Sequence, residues 1–138
     1  MKFTLKHVLA ASILTLISTA QLSAGPWEDA VAASGRGDYE AAFRFLSVLA
    51  EQGDTDAQVL LGNYYAIGRG VPVNIGWAYA WFALAASLGD KKGENARYDT
   101  EKEMLSQLDP TSKKRLLEAT DLFIAAWKHR HPQHRTRP

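Results

Sequence analysis

Apolar side chains recur at helical spacing along most of the chain. Phe43, Leu46 and Leu49 lie three residues apart, and Trp81 and Phe82 follow Ala78 by three and four residues. Residues three and four apart share one side of a helix, whereas no stretch shows the sustained two-residue alternation of a strand. The pattern therefore predicts an all-α protein. Five helices are expected over 26–34, 38–52, 54–67, 74–88 and 90–107, and a sixth begins at Asp109-Pro110 and ends near Lys128.

Short polar residues and glycines mark where these helices begin and end. Asp38 and Asn74 stand at N-cap positions, where a side-chain oxygen accepts hydrogen bonds from the free amides of the first turn. Gly53 and Gly89 stand where a helix ends in a residue at positive φ. The following helices are then capped by Asp54, Asp90 and Asp109, with Pro110 suited to the first helical position.

The chain repeats itself. GRGDYEAAFRFLSVLAEQGD spans residues 35–54, and GRGVPVNIGWAYAWFALAASLGD spans residues 68–90. The helices match at an offset of 36 residues and the Gly-Arg-Gly turns at 33, because the second copy carries the insert Val71-Pro72-Val73. Self-similarity at this period is typical of repeat architectures. It predicts an α-solenoid, a stack of antiparallel helix pairs.

The stretch 57–90 resembles the Sel1-like repeat family, relatives of tetratricopeptide repeats with a longer loop. The resemblance covers one complete repeat and implies a tetratricopeptide-like superhelix. The residues that carry it are Ala57, Leu61, Gly62, Tyr65, Gly68, Gly70, Val71, Pro72, Asn74, Ala78, Trp81, Ala85, Ala86 and Gly89.

The rest of the chain departs from the repeat. We expect a partial repeat over 27–53, the full repeat over 54–89 and a capping helix pair over 90–129, so that 25–129 form one repeat domain. Gly93 stands where the family has alanine. A basic flexible tail is expected over 130–138. The residues expected to cover the last repeat are Leu105, Leu108, Leu116, Leu117, Leu122 and Trp127.

The first 24 residues have the composition of a secretory signal peptide. Lys2 and Lys6 precede the uncharged stretch 8–17, and small residues follow up to Ala24. The apolar stretch is shorter than the roughly 20 residues of an ordinary membrane span. Cleavage is expected after Ala24, with Ala20 as the second choice. The protein would then be periplasmic or secreted; an uncleaved segment would instead anchor it at the inner membrane.

Charge and cysteine content remove several function classes. There is no cysteine, so no disulfide, thiol nucleophile or thiolate metal site is possible. Residues 25–127 carry ten basic and fifteen acidic groups, and four further cations lie at 128–138. An acidic body with a basic end lacks the clustered cationic face that nucleic-acid binding needs.

No motif points to catalysis or to a cofactor. Gly68-Arg69-Gly70 follows a predicted helix and lacks the Gly-Lys-Ser/Thr ending of a phosphate loop. The uncharged stretch 75–88 is too short to span a membrane. His129, His131 and His134 lie among positive charges, which disfavours a metal site. Carboxylate pairs such as Glu101 with Glu103 point to different sides of a helix.

The architecture suggests a binding surface on the concave side, which the first helix of each pair lines. Trp77 has two alternative roles: it either packs against the capping helices or serves as an exposed anchor for a partner. The candidate partner-binding residues are Gln58, Asn63, Tyr64, Ile67, Arg69 and Trp77.

These observations predict a non-enzymatic adaptor or scaffold, exported to the bacterial envelope, that binds another protein or peptide. We expect no cofactor, no metal, no nucleic acid and a monomer or weak homo-oligomer. One alternative is a self-assembling structural protein. Another is a hydrolase related to secreted Sel1-like proteins that bind β-lactams; that subgroup is cysteine-rich, and this chain has no cysteine.

Overall fold

In the computed structural model, residues 25–134 are described, and within them every regular element is helical. The signal-peptide prediction over 1–24 lies outside the described residues. Two short 3₁₀ turns, Leu105–Gln107 and Pro132–His134, accompany six α-helices. The helices are α1 (Pro26–Gly35), α2 (Tyr39–Glu51), α3 (Thr55–Ile67), α4 (Ile75–Ser87), α5 (Lys91–Glu103) and α6 (Pro110–Arg130).

The predicted caps are confirmed at five helix N-termini. The Asp54 carboxylate accepts from the Ala57 N–H at 2.9 Å, and the Asp90 carboxylate accepts from the Gly93 N–H at 2.8 Å. Asp38, Asn74 and Asp109 make the equivalent bonds at α2, α4 and α6. The glycines that end α2 and α4 do adopt positive φ, 96° at Gly53 and 89° at Gly89.

The helices pack in adjacent antiparallel pairs, as the solenoid prediction requires. The main core combines small residues such as Ala33 and Ala57 with large ones such as Leu46, and the small residues let the helix backbones approach closely. Gly62 of α3 is one such position, because a Cβ there would overlap the Phe82 ring of α4. The fully buried members include Ala33, Ala42, Ala50, Ala57, Leu61, Leu84 and Trp127.

Gly93 explains part of the departure from the repeat. A Cβ at this position would lie 2.6 Å from the Ala85 Cβ and 2.9 Å from the Ala86 backbone nitrogen. Real Cβ atoms do not approach that closely, so only glycine lets α5 pack this near to α4. The residue that differs from the family pattern is therefore the contact point of the cap with the last repeat.

The capping region differs from expectation in three ways. The helix predicted over 90–107 ends at Glu103, and a 3₁₀ turn continues to Gln107. Leu122, expected to cover the last repeat, is 72% exposed. Leu108 is also exposed, whereas Leu105 and Trp127 are buried as predicted and Leu116 and Leu117 are half-buried. The inward side of α6 runs through Leu116, Thr120, Phe123 and Trp127, and Leu122 lies off this line.

The end of the chain packs more closely than a flexible tail would. α6 continues to Arg130, two residues beyond the predicted end. The His131 ring stacks on the Trp127 indole, with centroids 4.1 Å apart, and the His134 ring lies 5.4 Å from it. A Cβ at Gly53 would lie 2.7 Å from His134 Nε2, so the chain end contacts the α2–α3 junction. Residues 135–138 lie outside the described part.

Over residues 25–134, no helix is both long enough and apolar enough to cross a membrane.

Candidate functional site

The two helices that open the repeat pairs, α1 and α3, both line one groove. It encloses a cavity of about 220 Å³. We call it the α1–α3 groove. Its apolar walls carry three partly exposed large side chains: Trp27 at 36%, Val31 at 58% and Leu60 at 36%. The lining residues are Trp27, Ala30, Val31, Ser34, Leu46, Leu60, Tyr64 and Arg69.

A second, more polar cavity adjoins the α1–α3 groove and shares Trp27 and Leu60 with it. It has a volume of about 400 Å³. At its edge the Lys92 ammonium of α5 donates to the Asp56 carboxylate of α3 at 2.7 Å. Asn63 and Val59 complete the lining. The first helices of the pairs, together with α5, thus present one continuous surface, apolar over α1 and polar toward α5.

The Gly68-Arg69-Gly70 turn closes the other end of the groove. Gly68 ends α3 in the left-handed conformation at φ 70°, and the Arg69 N–H donates to the Tyr64 carbonyl at 2.9 Å. Gly70, also at φ 70°, lies on the first turn of α2, where a Cβ would overlap the Tyr39 carbonyl. Both glycines are therefore required by the turn, which confirms their structural role and fixes the backbone of Arg69.

The Arg69 side chain lies over aromatic rings at this end. Its guanidinium carbon is 4.7 Å from the Tyr39 ring centroid and 5.9 Å from the Tyr64 ring centroid. The Tyr64 hydroxyl donates to the Ser34 hydroxyl at 3.3 Å, which ties α3 to α1 beneath the guanidinium. A cation over tyrosine rings is attracted by their quadrupoles. The arginine is thus held at the groove end by contacts that leave its guanidinium N–H groups without an acceptor among the described residues.

Two of the predicted partner-binding residues are corrected by the structure. Gln58 is fully buried, and its Nε2 donates to the Ala50 carbonyl of α2 at 3.0 Å. Tyr64 is 6% exposed and contributes to the groove wall rather than to the open surface. Both residues were assigned to the surface because the repeat pattern does not use them for its core. Their phase on α3 instead places them with Ala57 and Leu61.

Asn63 and Ile67 do lie on the exposed side of α3, as expected. Leu60 was missed there, because a leucine within a repeat looks like core. The spacing of Asp56, Leu60, Asn63 and Ile67 marks a single exposed line along α3 and is the signal that identifies Leu60. Trp27 and Val31 of α1 were missed because a short first helix offers little periodicity.

Trp77 lies in a separate cavity of about 210 Å³ between α4 and α6. Its ring stacks on Tyr65 at 6.3 Å and meets Phe123 of α6 edge-on at 5.5 Å. It is nevertheless 44% exposed. Trp77 therefore packs against the cap, as one prediction had it, and also reaches the surface; its role as an anchor for a partner stays a prediction. It is not part of the α1–α3 groove.

The titratable groups with shifted pKa values have structural explanations. Burial raises the pKa of Tyr65 and of Tyr79, and the Asp56 hydrogen bond raises the pKa of Lys92. Hydrogen bonds from Ser112 lower the pKa of the capping Asp109. Among residues 25–134, no group of three His, Asp or Glu side chains is placed to hold a metal ion.

The comparison with protein families agrees with the geometry. Residues 33–54 and 55–90 match the family model described as Sel1 repeat, which agrees with the repeats and the resemblance found in the sequence. The first match includes residues that the sequence assigned only to a partial repeat. Sel1 repeats are protein–protein interaction modules and are generally non-enzymatic. Neither a curated protein nor a solved structure matches the chain.

Proposed function

We propose that this protein is a non-enzymatic adaptor that binds a protein or peptide in the α1–α3 groove. The observation that supports this most directly is the row of exposed apolar side chains, Trp27, Val31 and Leu60, on two first-in-pair helices. Contiguous exposed apolar surface rimmed by polar residues is typical of interaction sites. Asn63, Asp56 and Lys92 supply that rim.

The lining of the groove is better suited to binding a peptide segment than to catalysing a reaction. Its wall is apolar, and of the described residues that line it only Arg69 is charged. Catalysis of acyl or phosphoryl transfer needs a nucleophile, a base and donors converging on one point. The α1–α3 groove instead offers apolar contact area and one cation, which are features that bind a polypeptide.

The proposal includes export to the bacterial envelope, on the basis of the basic start, apolar stretch and small residues of 1–24. A test is the mass of the protein recovered from the periplasmic fraction of an expressing cell. Cleavage after Ala24 or Ala20 would leave a chain beginning at Gly25 or Gln21. A full-length chain in the membrane fraction would favour the anchored form.

The binding proposal is tested by site-specific photo-crosslinking in cells. A photoreactive residue at Val31 or Asn63 should form an adduct with one defined partner, and the same residue at Leu122 on α6 should not. The substitution Leu60→Asp should abolish the adduct. Leu122→Asp is the matched control, because it introduces the same charge at an exposed leucine outside the groove. Equal adducts from groove and control positions would contradict the proposal.

Self-association is the second candidate, favoured by a different surface. A cavity of about 440 Å³ lies between the start of α4 and the turn after α5, lined by Ile75, Leu105, Leu108 and Leu116 among others. Met104 and Leu108 there are about 40% exposed. A mass that rises with concentration, and returns to the monomer value in Leu108→Asp, would support this candidate. A constant monomer mass would eliminate it.

A further inference from the structure

The α1–α3 groove ends at a cation whose guanidinium donates no hydrogen bond to any residue of 25–134. The Arg69 guanidinium contacts Tyr39 and Tyr64 through their rings, and no described residue accepts a hydrogen bond or an ion pair from it. Two other arginines, Arg44 of the repeats and Arg97 of the cap, are paired with carboxylates. Arg44 pairs with Glu40 at 2.8 Å and Arg97 pairs with Glu101 at 3.3 Å, each one helical turn away.

The backbone of Arg69 is held in place by the residues around it. Two residues at positive φ flank it, its own N–H is bonded to the end of α3, and Gly70 lies against the first turn of α2. The equivalent turn of the first repeat, Gly35-Arg36-Gly37, has a positive φ at Gly37 only, and Arg36 does not line the groove. Only the second turn therefore directs an arginine to a cavity.

A guanidinium held over aromatic rings still presents five N–H donors in its plane, in the fork that matches a carboxylate. The adjoining space of about 220 Å³ is apolar and smaller than the clefts of roughly 300–1,000 Å³ that hold drug-sized ligands. A ligand that fills this end of the groove and also pairs with the guanidinium needs a carboxylate next to an apolar group. The last residue of a polypeptide does so, because its carboxylate and its side chain share one Cα.

We propose that the α1–α3 groove recognises the C-terminus of its partner, with the terminal carboxylate on Arg69 and an apolar last side chain between α1 and α3. This inference rests on the proposed function and names the chemistry of its partner. Trp27, Val31 and Leu60 contact the apolar side chain, and the Ser34 and Tyr64 hydroxyls lie beside the carboxylate end. The C-terminal residue therefore matches the groove both in charge, at Arg69, and in its apolar side chain.

The test is fluorescence polarisation with the full chain and fluorescein-Gly-Ser-Gly-Ala-X peptides, where X is Leu, Val or Phe. Each peptide is made with a free C-terminal carboxylate and as its C-terminal amide. At least one free acid should bind at least tenfold more tightly than its amide, and the difference should shrink at high salt. Arg69→Gln should weaken the acid to the level of the amide and leave the amide unchanged.

Arg36→Gln is the matched control and should bind as the wild type does. An unchanged thermal midpoint of Arg69→Gln shows that the variant is folded, and the acid–amide comparison on the wild type needs no variant at all. Equal binding of acids and amides would overturn C-terminal recognition while leaving the groove as a binding site. Absence of binding by every free acid would overturn it too, and the crosslinking experiment would still decide the proposed function separately.

Discussion

Gln58 shows how a polar side chain can serve the interior of a helical repeat. Its amide lies between α2 and α3 and donates to the Ala50 carbonyl, while no described residue donates to its Oε1. A buried amide oxygen without a donor is costly, so this residue stabilises the α2–α3 contact less than its burial suggests.

Gln58→Glu should destabilise the protein by about 3 kcal/mol or more, because it places an unpaired charge beside a carbonyl in the core. Gln58→Met keeps the volume, removes the unpaired oxygen and should change the free energy of unfolding by less than about 1.5 kcal/mol. Urea unfolding followed by circular dichroism measures both. A tolerant Gln58→Glu variant would show that this site opens to water.

Trp77→Ala should cost about 1–2 kcal/mol in unfolding free energy. A fully buried tryptophan typically costs 3–5 kcal/mol, and Trp77 keeps its contacts with Tyr65 and Phe123 while 44% exposed. Leu122→Ala, at an exposed position, should stay within about 0.5 kcal/mol of the wild type. A loss of 3 kcal/mol or more at Trp77 would make it a core residue, and no loss would leave only a surface role.

At the scale of elements, helix boundaries were well predicted from sequence, because the determinants are local. An aspartate or asparagine that accepts an amide hydrogen bond acts within four residues, and all five caps are formed. The end of α5 was placed too late, since nothing local marks Glu103. The outward phase of Leu122 was also missed, because it depends on how α6 lies on α4.

Gly93→Ala should destabilise the protein by about 1–3 kcal/mol, although alanine favours helices by up to about 1 kcal/mol over glycine. The added methyl group would meet Ala85 and the backbone of Ala86 and push α5 away from α4. Gly35→Ala is the control, because a Cβ there meets nothing within 4 Å. Thermal unfolding should show midpoints that move down for the first variant and stay level or rise for the second.

Asp90→Ala should lower the free energy of unfolding by more than Asp38→Ala does. Loss of a helix cap alone, as in Asp38→Ala, typically costs about 1 kcal/mol. Asp90 caps α5 and also accepts from the Thr55 hydroxyl of α3 at 2.9 Å, so it joins two elements. Partial burial raises its pKa, but the hydrogen bonds from Gly93 and Thr55 outweigh this and hold the pKa below its ordinary value.

The sign of the pH dependence follows from that lowered pKa. A carboxylate whose pKa is lower in the folded state contributes stability above its unfolded value, about 3.9, and loses it as the pH falls through the folded value. The difference between wild type and Asp90→Ala should therefore be constant from about pH 5 to 8 and shrink below about pH 4. A difference that grows on acidification would contradict the assignment.

At the scale of the whole molecule, α6 joins parts of the chain that lie far apart in sequence. Trp127 belongs to the same core cluster as Ala30 and Ala42, and the Arg130 guanidinium lies 3.5 Å from the Glu51 carboxylate. An open solenoid contacts only nearest neighbours. The repeat pattern predicted the stack, but contacts of such separation leave no local trace, which is why the chain end was assigned to a flexible tail. The groove was missed in part for the same reason, since Trp27 and Leu60 meet only after folding.

Trp127→Ala should lower the stability of the entire body by about 3–5 kcal/mol rather than loosen the cap alone. Circular dichroism and tryptophan fluorescence should report one coincident urea transition in wild type and variant, as expected of two-state unfolding. Two separate transitions, with the first keeping the wild-type midpoint, would show that the cap and the repeats unfold independently.

The contact between Gly53 and the chain end also limits how the molecule could be lengthened. In an open array an extra unit can be inserted at any junction, and each one adds stability. Here, a 36-residue unit inserted after Asp90 would displace α6 by one unit and separate Trp127 and His134 from Gly53. The contact of the chain end with Gly53 therefore fixes the number of repeat units. A variant with a duplicated repeat should be longer but have a lower free energy of unfolding than the wild type.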